Sequence, residues 1–210
     1  SNERIFDELK KILKVKQVYN LFSDRTSREI IQNIFPQFKY YKKLKVIKSL
    51  NKKLYEKYDH CLILALLIID ESNDYEYFCH KYKTSNSIKN RLKNISENFE
   101  NFKSKKFFST ENIRKLIYFT NKDSVIDLLL FSVCANHKIE TQEIENLIDY
   151  VNSCKIPKFP ISGDYLKKYG YKTGQELGKK LKSLEEKWIE NNFIIDKKLI
   201  TKSLGKTNEN

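Results

Sequence analysis

Carboxylates come first, because paired acids would give the chain metal-dependent phosphoryl transfer. That reaction needs acids about one metal-bridge apart on a rigid strand beside a Gly-rich turn. The chain has no such D-x-D. The nearest candidates are Asp70-Glu71, which reads as a polar loop, and Asp123 with Asp127, which read as helix-start acids favoured by the macrodipole. Each of the three His lies near a Cys (His60-Cys61, Cys79-His80, Cys134-x-x-His137), yet no CxxC or second ligand pair completes a metal site. Cys61, Cys79, Cys134 and Cys154 are therefore expected to be buried thiols. No Ser/His/Asp or Cys/His spacing suggests a nucleophile. No catalytic residue and no metal ligand is expected in this chain.

Cations and glycines carry the stronger signal. Subtracting 27 acidic from 40 basic side chains leaves a net charge of +13, which suits a polyanionic partner whose binding falls steeply with salt. The densest cluster runs from Lys39 to Lys53, includes Lys42 and Lys43, and interleaves Tyr40 and Tyr41, rings able to stack on an exposed base. Arg25 and Arg28 stand at an expected helix start, where they would make bidentate phosphate contacts. Residues 155–193 hold four of the 5 Gly and two of the 3 Pro. There a helix opening at Thr173-Gly174 would offer free amides to a phosphate. Ser162, Gly163, Lys167, Lys168, Lys172, Lys179 and Lys180 lie beside it. Trp188 shares the stripe of Leu181 and Leu184 and is expected in the core.

These residues need helices to position them. With 5 Gly and 3 Pro in 210 residues, turn chemistry is too sparse for an all-β sandwich, and 13% aromatic content excludes a disordered chain. The longest apolar run, residues 62–69, spans two helical turns against the roughly 20 residues a membrane span needs. Helices are predicted over residues 3–13, from a capping box at Thr26 to Pro36 with Glu29 reaching back, over 38–58 as one cationic helix, over the all-apolar 60–69, and over 88–99 after a cap in 84–87. Further helices are predicted over 110–120, 124–134, 143–154 behind a Thr141 cap, and from Gly174 through Trp188. The chain contains no Met, and it is expected to be a fragment or a processed chain. Its cysteine usage and lack of a secretory leader suggest a reducing, cytoplasmic setting.

The glycine block resembles the tail of bacterial tRNA nucleotidyltransferases, the CCA-adding enzymes that share a fold with bacterial poly(A) polymerases. The residues that carry the likeness are Pro157 to Gly163, Leu166, then Gly170, Gly174 and Gly178 at four-residue steps, then Leu181, Leu184, Glu185 and Trp188. Glu3-Arg4-Ile5 with Glu8-Leu9 resembles the family's E-R-I-x-x-E-L helix. Ile63 to Leu67, Ile88 to Leu92, Leu116 to Tyr118 and Leu128 to Leu130 resemble its helical body and the helices ahead of the tail. The chain departs from the pattern at Tyr165, where an Asp is usual, and at Asn121-Lys122, where a Gly often stands.

The resemblance implies an all-α chain of helical neck, body and tail subdomains in an extended multi-helix array: neck helices over 1–58, body over 59–104, tail with a Gly-rich RNA-binding motif over 105–195, and a frayed end over 196–210. It implies tRNA gripped at the elbow, with Arg25, Arg28, Lys42, Lys43, Ser162, Gly163, Lys167, Lys168, Gly174, Lys179 and Lys180 as candidate RNA-binding residues. The catalytic head domain, with its Mg ions and its CTP and ATP, would lie before residue 1 in the same polypeptide or in a separate one docked on Ile5, Phe6 and Leu9. No cofactor is expected in this chain, which alone would catalyse nothing. Head residues would decide between CCA and poly(A) addition. The alternative is a basic helical protein-interaction scaffold with no RNA role.

Overall fold

The computed structural model describes residues 1–104, 106–135 and 140–194. Among them lie thirteen α-helices, two 3-10 turns and no strand, the expected all-α class. None of these helices is long and apolar enough to cross a membrane. The chain divides into two compact units, Ser1–Ser153 and Cys154–Asn210. His137 and the end expected to fray lie outside the described residues.

In the first unit, α1 (Asn2–Leu13) buries Phe6, Leu9 and Leu13 against α6 (His60–Ile68) and α7 (Asp74–Tyr82). Its Phe6 ring meets Phe78 edge-on at 6.0 Å. This corrects the expected head-docking stripe: Phe6 and Leu9 are only 4% and 1% exposed, and Ile5 alone of the three faces solvent. After the short α2 (Val18–Ser23), α3 (Arg25–Ile34) starts two residues earlier than a cap at Thr26 predicts. Asp24 is the cap, its carboxylate accepting from the Ser27 amide at 2.7 Å, and Glu29 pairs with Arg25 instead of reaching back. An anionic cap satisfies the amide and the helix dipole together. The helix stops before Pro36, with Phe35 outside helical backbone, as the proline ring demands.

The cationic stretch 38–58 is not one helix. It folds as a 3-10 turn (Tyr41–Lys43), α4 (Leu44–Ser49) and α5 (Lys52–Tyr55). Leu50 is extended (ψ 151°), and Asn51 restarts the helix by accepting from the Leu54 amide at 3.1 Å. The break lets Leu44 and Ile47 on one piece and Leu54 on the next all reach the core, while Lys53 pairs with Glu145 and Asp149 of α11 (Thr141–Ser153).

Apolar-all-round helices must sit between neighbours. In α6 every residue from Cys61 to Ile68 is buried. The same holds for Leu128 to Cys134 of α10 (Lys122–Ala135), which packs on α4, α6, α9 (Thr110–Phe119), α11 and α8 (Asn86–Glu97). Ser85 caps α8, accepting from the Ile88 amide. Aromatic rings fill two gaps around this frame. Phe22, Phe35, Phe38, Phe78 and Tyr82 form one cluster, and Phe99, Phe102, Phe107, Phe108 and Phe131 another.

One ion cluster joins three of these helices. Arg91 of α8 donates through Nε and Nη2 to Asp127 of α10 at 2.7 and 2.9 Å, and through Nη1 and the shared Nη2 to Asp59. Asp59 also caps α6, accepting from the Leu62 amide at 2.9 Å. Asp127 is thus a buried mid-helix partner rather than a helix-start acid. Burial pushes its carboxyl above the ordinary value although Arg91 pulls it down. At Asp59 burial also pushes upward, but the bonds from Arg91 and the Leu62 amide outweigh it and the carboxyl sits below its usual value. Replacing Asp127 with Ala leaves a half-buried guanidinium with one partner and should cost about 3 kcal/mol. Urea unfolding of the variant checks this, and a loss under about 1 kcal/mol would show that the cluster is not structural.

Candidate nucleic-acid interface

The glycine segment forms a helix pair in the second unit. Ser162 caps α12 (Gly163–Lys167), its hydroxyl accepting from the Tyr165 amide at 3.2 Å. The helix closes in a Schellman motif: the Tyr171 amide donates to Leu166 O and the Gly170 amide to Lys167 O. Gly170 supplies the left-handed residue this closure needs (φ 87°). Gly174 then takes φ 147°, ψ −163° as the N-cap of α13 (Gln175–Glu190), a region open essentially to glycine alone. Ile161, Leu166 and Leu184 make a small core flanked by Leu177 and Leu181. A Cβ on Gly163 would stand 3.3 Å from Leu177 Cδ2, so that glycine serves helix packing. Trp188 is 5% exposed and lies between Phe159 and Phe193, with ring centroids 5.3 and 5.0 Å away; it is core, as its stripe predicts.

Gly178 differs from the other three. It sits inside the first turns of α13 with ordinary helical backbone, it is exposed, and a Cβ there would meet nothing within 4 Å. Neither backbone angle nor packing calls for glycine at this position.

Ser162, Gly163, Lys167, Lys168, Gly174, Lys179 and Lys180 are therefore brought onto two contacting helices and their joint. Lys167 pairs with Asp164 at 2.9 Å, both exposed, and that bond holds the Asp164 carboxyl below its usual value. Lys168, Lys172 and Lys179 are exposed. Lys180 leans over the Tyr171 ring at 5.9 Å. Tyr165 of α12 and Tyr169 just beyond its end stand side by side, their hydroxyls 3.1 Å apart.

Of the candidates in the first unit, Arg25 is exposed and paired with Glu29. Arg28 donates to Phe22 O at 3.3 Å and stacks over Tyr41 at 5.0 Å, which sets it beside Lys42, an exposed side chain. Lys43 turns inward. Its Nζ donates to Ile69 O at 3.0 Å and lies 4.5, 5.5 and 5.4 Å from the Tyr40, Phe99 and Phe131 ring centroids. Burial lowers its pKa to about 8. Lys42 and Lys43 look alike in the sequence, and only the 3-10 turn aims one of them at the core. Asp59 and Arg91 stand outside the sequence candidates, although an Asp directly before an all-apolar run is a cap signal.

The four cysteines are free and buried, and burial pushes the Cys61 and Cys134 thiols up to about 12, which makes them unreactive. Among the described residues no group of three His, Cys, Asp or Glu is placed to hold a metal ion.

The family model for tRNA nucleotidyltransferase domain 2 matches residues 56–204, more than two thirds of the chain. The chain belongs to the tRNA nucleotidyltransferase domain 2 family. A stretch of 69 residues, 33% of this chain, is 30% identical to CCA tRNA nucleotidyltransferase 1, mitochondrial, of Danio rerio, and covers 16% of that protein. The tRNA nucleotidyltransferase match runs from the end of α5 through the whole glycine-bearing helix pair, so it spans both units.

Two outcomes check the geometry. Gly174→Ala should cost about 1–3 kcal/mol, whereas Gly178→Ala should stabilise by about 0.5–1 kcal/mol; thermal melts give both signs, and a destabilising Gly178→Ala would refute the open position. Lys43 has a folded pKa below its unfolded one, so it disfavours folding fully below about pH 8, and the penalty fades as pH rises towards 10.5. The melting-temperature gap between Lys43→Met and the parent should therefore shift in favour of the parent from pH 7 to pH 10.

Proposed function

We propose that this chain is the tRNA-binding, non-catalytic portion of a tRNA nucleotidyltransferase that adds CCA to the tRNA 3′ end. The parent reaction would transfer CMP and AMP from CTP and ATP. The observation that carries the reading is Gly178: a glycine in an exposed helix face, beside Lys179 and an N-terminus capped by Gly174, where the fold itself has no use for it. A helix glycine costs stability relative to alanine, and close approach of a nucleic-acid backbone is what its missing Cβ would permit. The exposed Lys168, Lys172 and Lys179 supply phosphate contacts around it, and recognition by backbone and shape suits A-form RNA.

Arg28 with Tyr41 and Lys42 forms a second, smaller basic surface on the first unit, with Arg25 one turn away. Lys43 is left out of it, because its donor is committed to Ile69 O. The carboxylates nearest to a catalytic pattern in the sequence include Asp127, engaged with Arg91, and Asp70, engaged with Tyr40 and Ser72. Catalysis is therefore assigned to a head domain carrying its own Mg ions, in the same polypeptide or a separate one. A poly(A)-adding parent would use the same binding portion, the choice lying in the head. Four free buried thiols fit a reducing compartment such as the cytoplasm.

The test is a titration of tRNA lacking its 3′ CCA at several salt concentrations, with single-stranded RNA of equal charge as control. Preference for tRNA and a log–log salt slope of about −3 to −5 are expected from several lysine–phosphate contacts. Substituting Lys167, Lys168 and Lys179 together by Ala should weaken binding at least tenfold and flatten the slope. Gly178→Ala should weaken binding while the melting temperature rises. Equal binding of both RNAs, or tRNA binding unmoved by these changes, would favour a basic protein-interaction scaffold.

A further inference from the structure

Between the end of α1 and the start of α2 the chain buckles outward. Gln17 adopts the left-handed conformation (φ 65°), and its amide donates to the Tyr55 hydroxyl at 3.2 Å. Behind this connection lies a cavity of about 480 Å³, within the range of small-molecule sites. Its wall is apolar: Leu13, Val18, Leu44, Ile47 and Ile63, each nearly devoid of solvent exposure.

The mouth is cationic. Lys14, Lys16 and Lys48 line it and are exposed, and none has an ion-pair partner among the described residues. Its two acids are both engaged elsewhere. Asp59 is held by Arg91, and Glu56 lies 3.8 Å from Lys52. Tyr19 stands half-buried at the rim with the Lys48 ammonium 6.0 Å from its ring centroid. A flat ring face, an apolar wall and three cations thus meet at one opening.

A ligand that uses all three has a planar body and an anionic end. An inorganic phosphate would leave the wall unused, and an uncharged ring would leave the lysines unused. We propose that this cavity binds a ring-bearing phosphate of mononucleotide size, its ring against Tyr19 and the apolar wall and its phosphate among Lys14, Lys16 and Lys48. The same chemistry is offered by a free mononucleotide and by an unpaired nucleotide of an RNA chain. The inference is independent of the glycine-bearing helix pair, since every lining residue belongs to the first unit.

Calorimetric titration of the full chain with AMP tests it, with adenosine, inorganic phosphate and a five-residue oligoadenylate as comparison ligands. One saturable AMP site is expected, with adenosine and phosphate each at least tenfold weaker. Lys16→Glu with Lys48→Glu, surface changes that leave the melting temperature in place, should weaken AMP at least tenfold. Tyr19→Ala should weaken it several-fold. Oligoadenylate that competes with AMP at equal or better affinity identifies an RNA nucleotide as the source; failure to compete identifies the free nucleotide. The proposal is overturned if AMP binds no better than phosphate, if no saturation is reached in the millimolar range, or if the double lysine variant binds AMP like the parent.

Discussion

Arg91 holds the first unit together at the point where three helices would otherwise have to bury charge unaided. Its guanidinium spans two carboxylates at once, Asp127 of α10 and Asp59 at the start of α6, which only the planar fork of arginine can do. Asp59 in turn satisfies an orphan amide of α6, the helix whose apolar faces are all covered. The placement of α6 therefore rests on one polar residue outside it. Removing Asp127 strands the guanidinium's charge on the buried side, whereas Asp59 is open to water, and the apolar packing around the cluster provides the larger share of the stability.

Lys43 shows the same economy with a different outcome. A lysine in a basic run would ordinarily be read as surface, but a 3-10 turn at Tyr41–Lys43 directs it among three aromatic rings and a backbone carbonyl. Ring faces and one acceptor offset part of its lost hydration, and the lowered pKa marks what they do not offset. The basic surface of this region is consequently smaller than a count of lysines suggests: Lys43 is half-buried and turned inward, Lys39 is tied to Asp74, and Lys53 to α11. Lys42, Lys45 and Lys48 of the stretch remain exposed, and Arg28 lies over the Tyr41 ring next to the first of them in the chain.

In the second unit glycine does two separate jobs. Gly170 and Gly174 take backbone angles that side chains resist, and Gly163 clears space for Leu177. Gly178 does neither. The four-residue spacing of 170, 174 and 178 is uniform in the sequence, and only the folded backbone gives the three positions different roles. The spacing points to a motif, and the geometry singles out one member of it as unexplained by folding.

Much was nonetheless legible beforehand. Sparse glycine and proline with recurrent apolar stripes determined the helical class, the run at 62–69 determined a buried helix, and the stripe of Leu181, Leu184 and Trp188 determined a core face, because burial follows periodicity wherever one face must leave water. The glycine-bearing block lies inside the stretch that matches the family, whereas the Glu3 to Leu9 block lies outside it. What the tertiary structure decided were matters of competition between similar local options: Asp24 over Thr26 as a cap, a break at Leu50 in a segment whose stripe continues, Phe6 and Leu9 spent on α6 and α7 rather than left for a partner, and Asp127 paired inside rather than left at a helix start. Each turns on contacts between residues far apart in the chain, such as Asn51 with Glu145 or Arg91 with Asp59 and Asp127, and no local pattern encodes which distant residue will arrive.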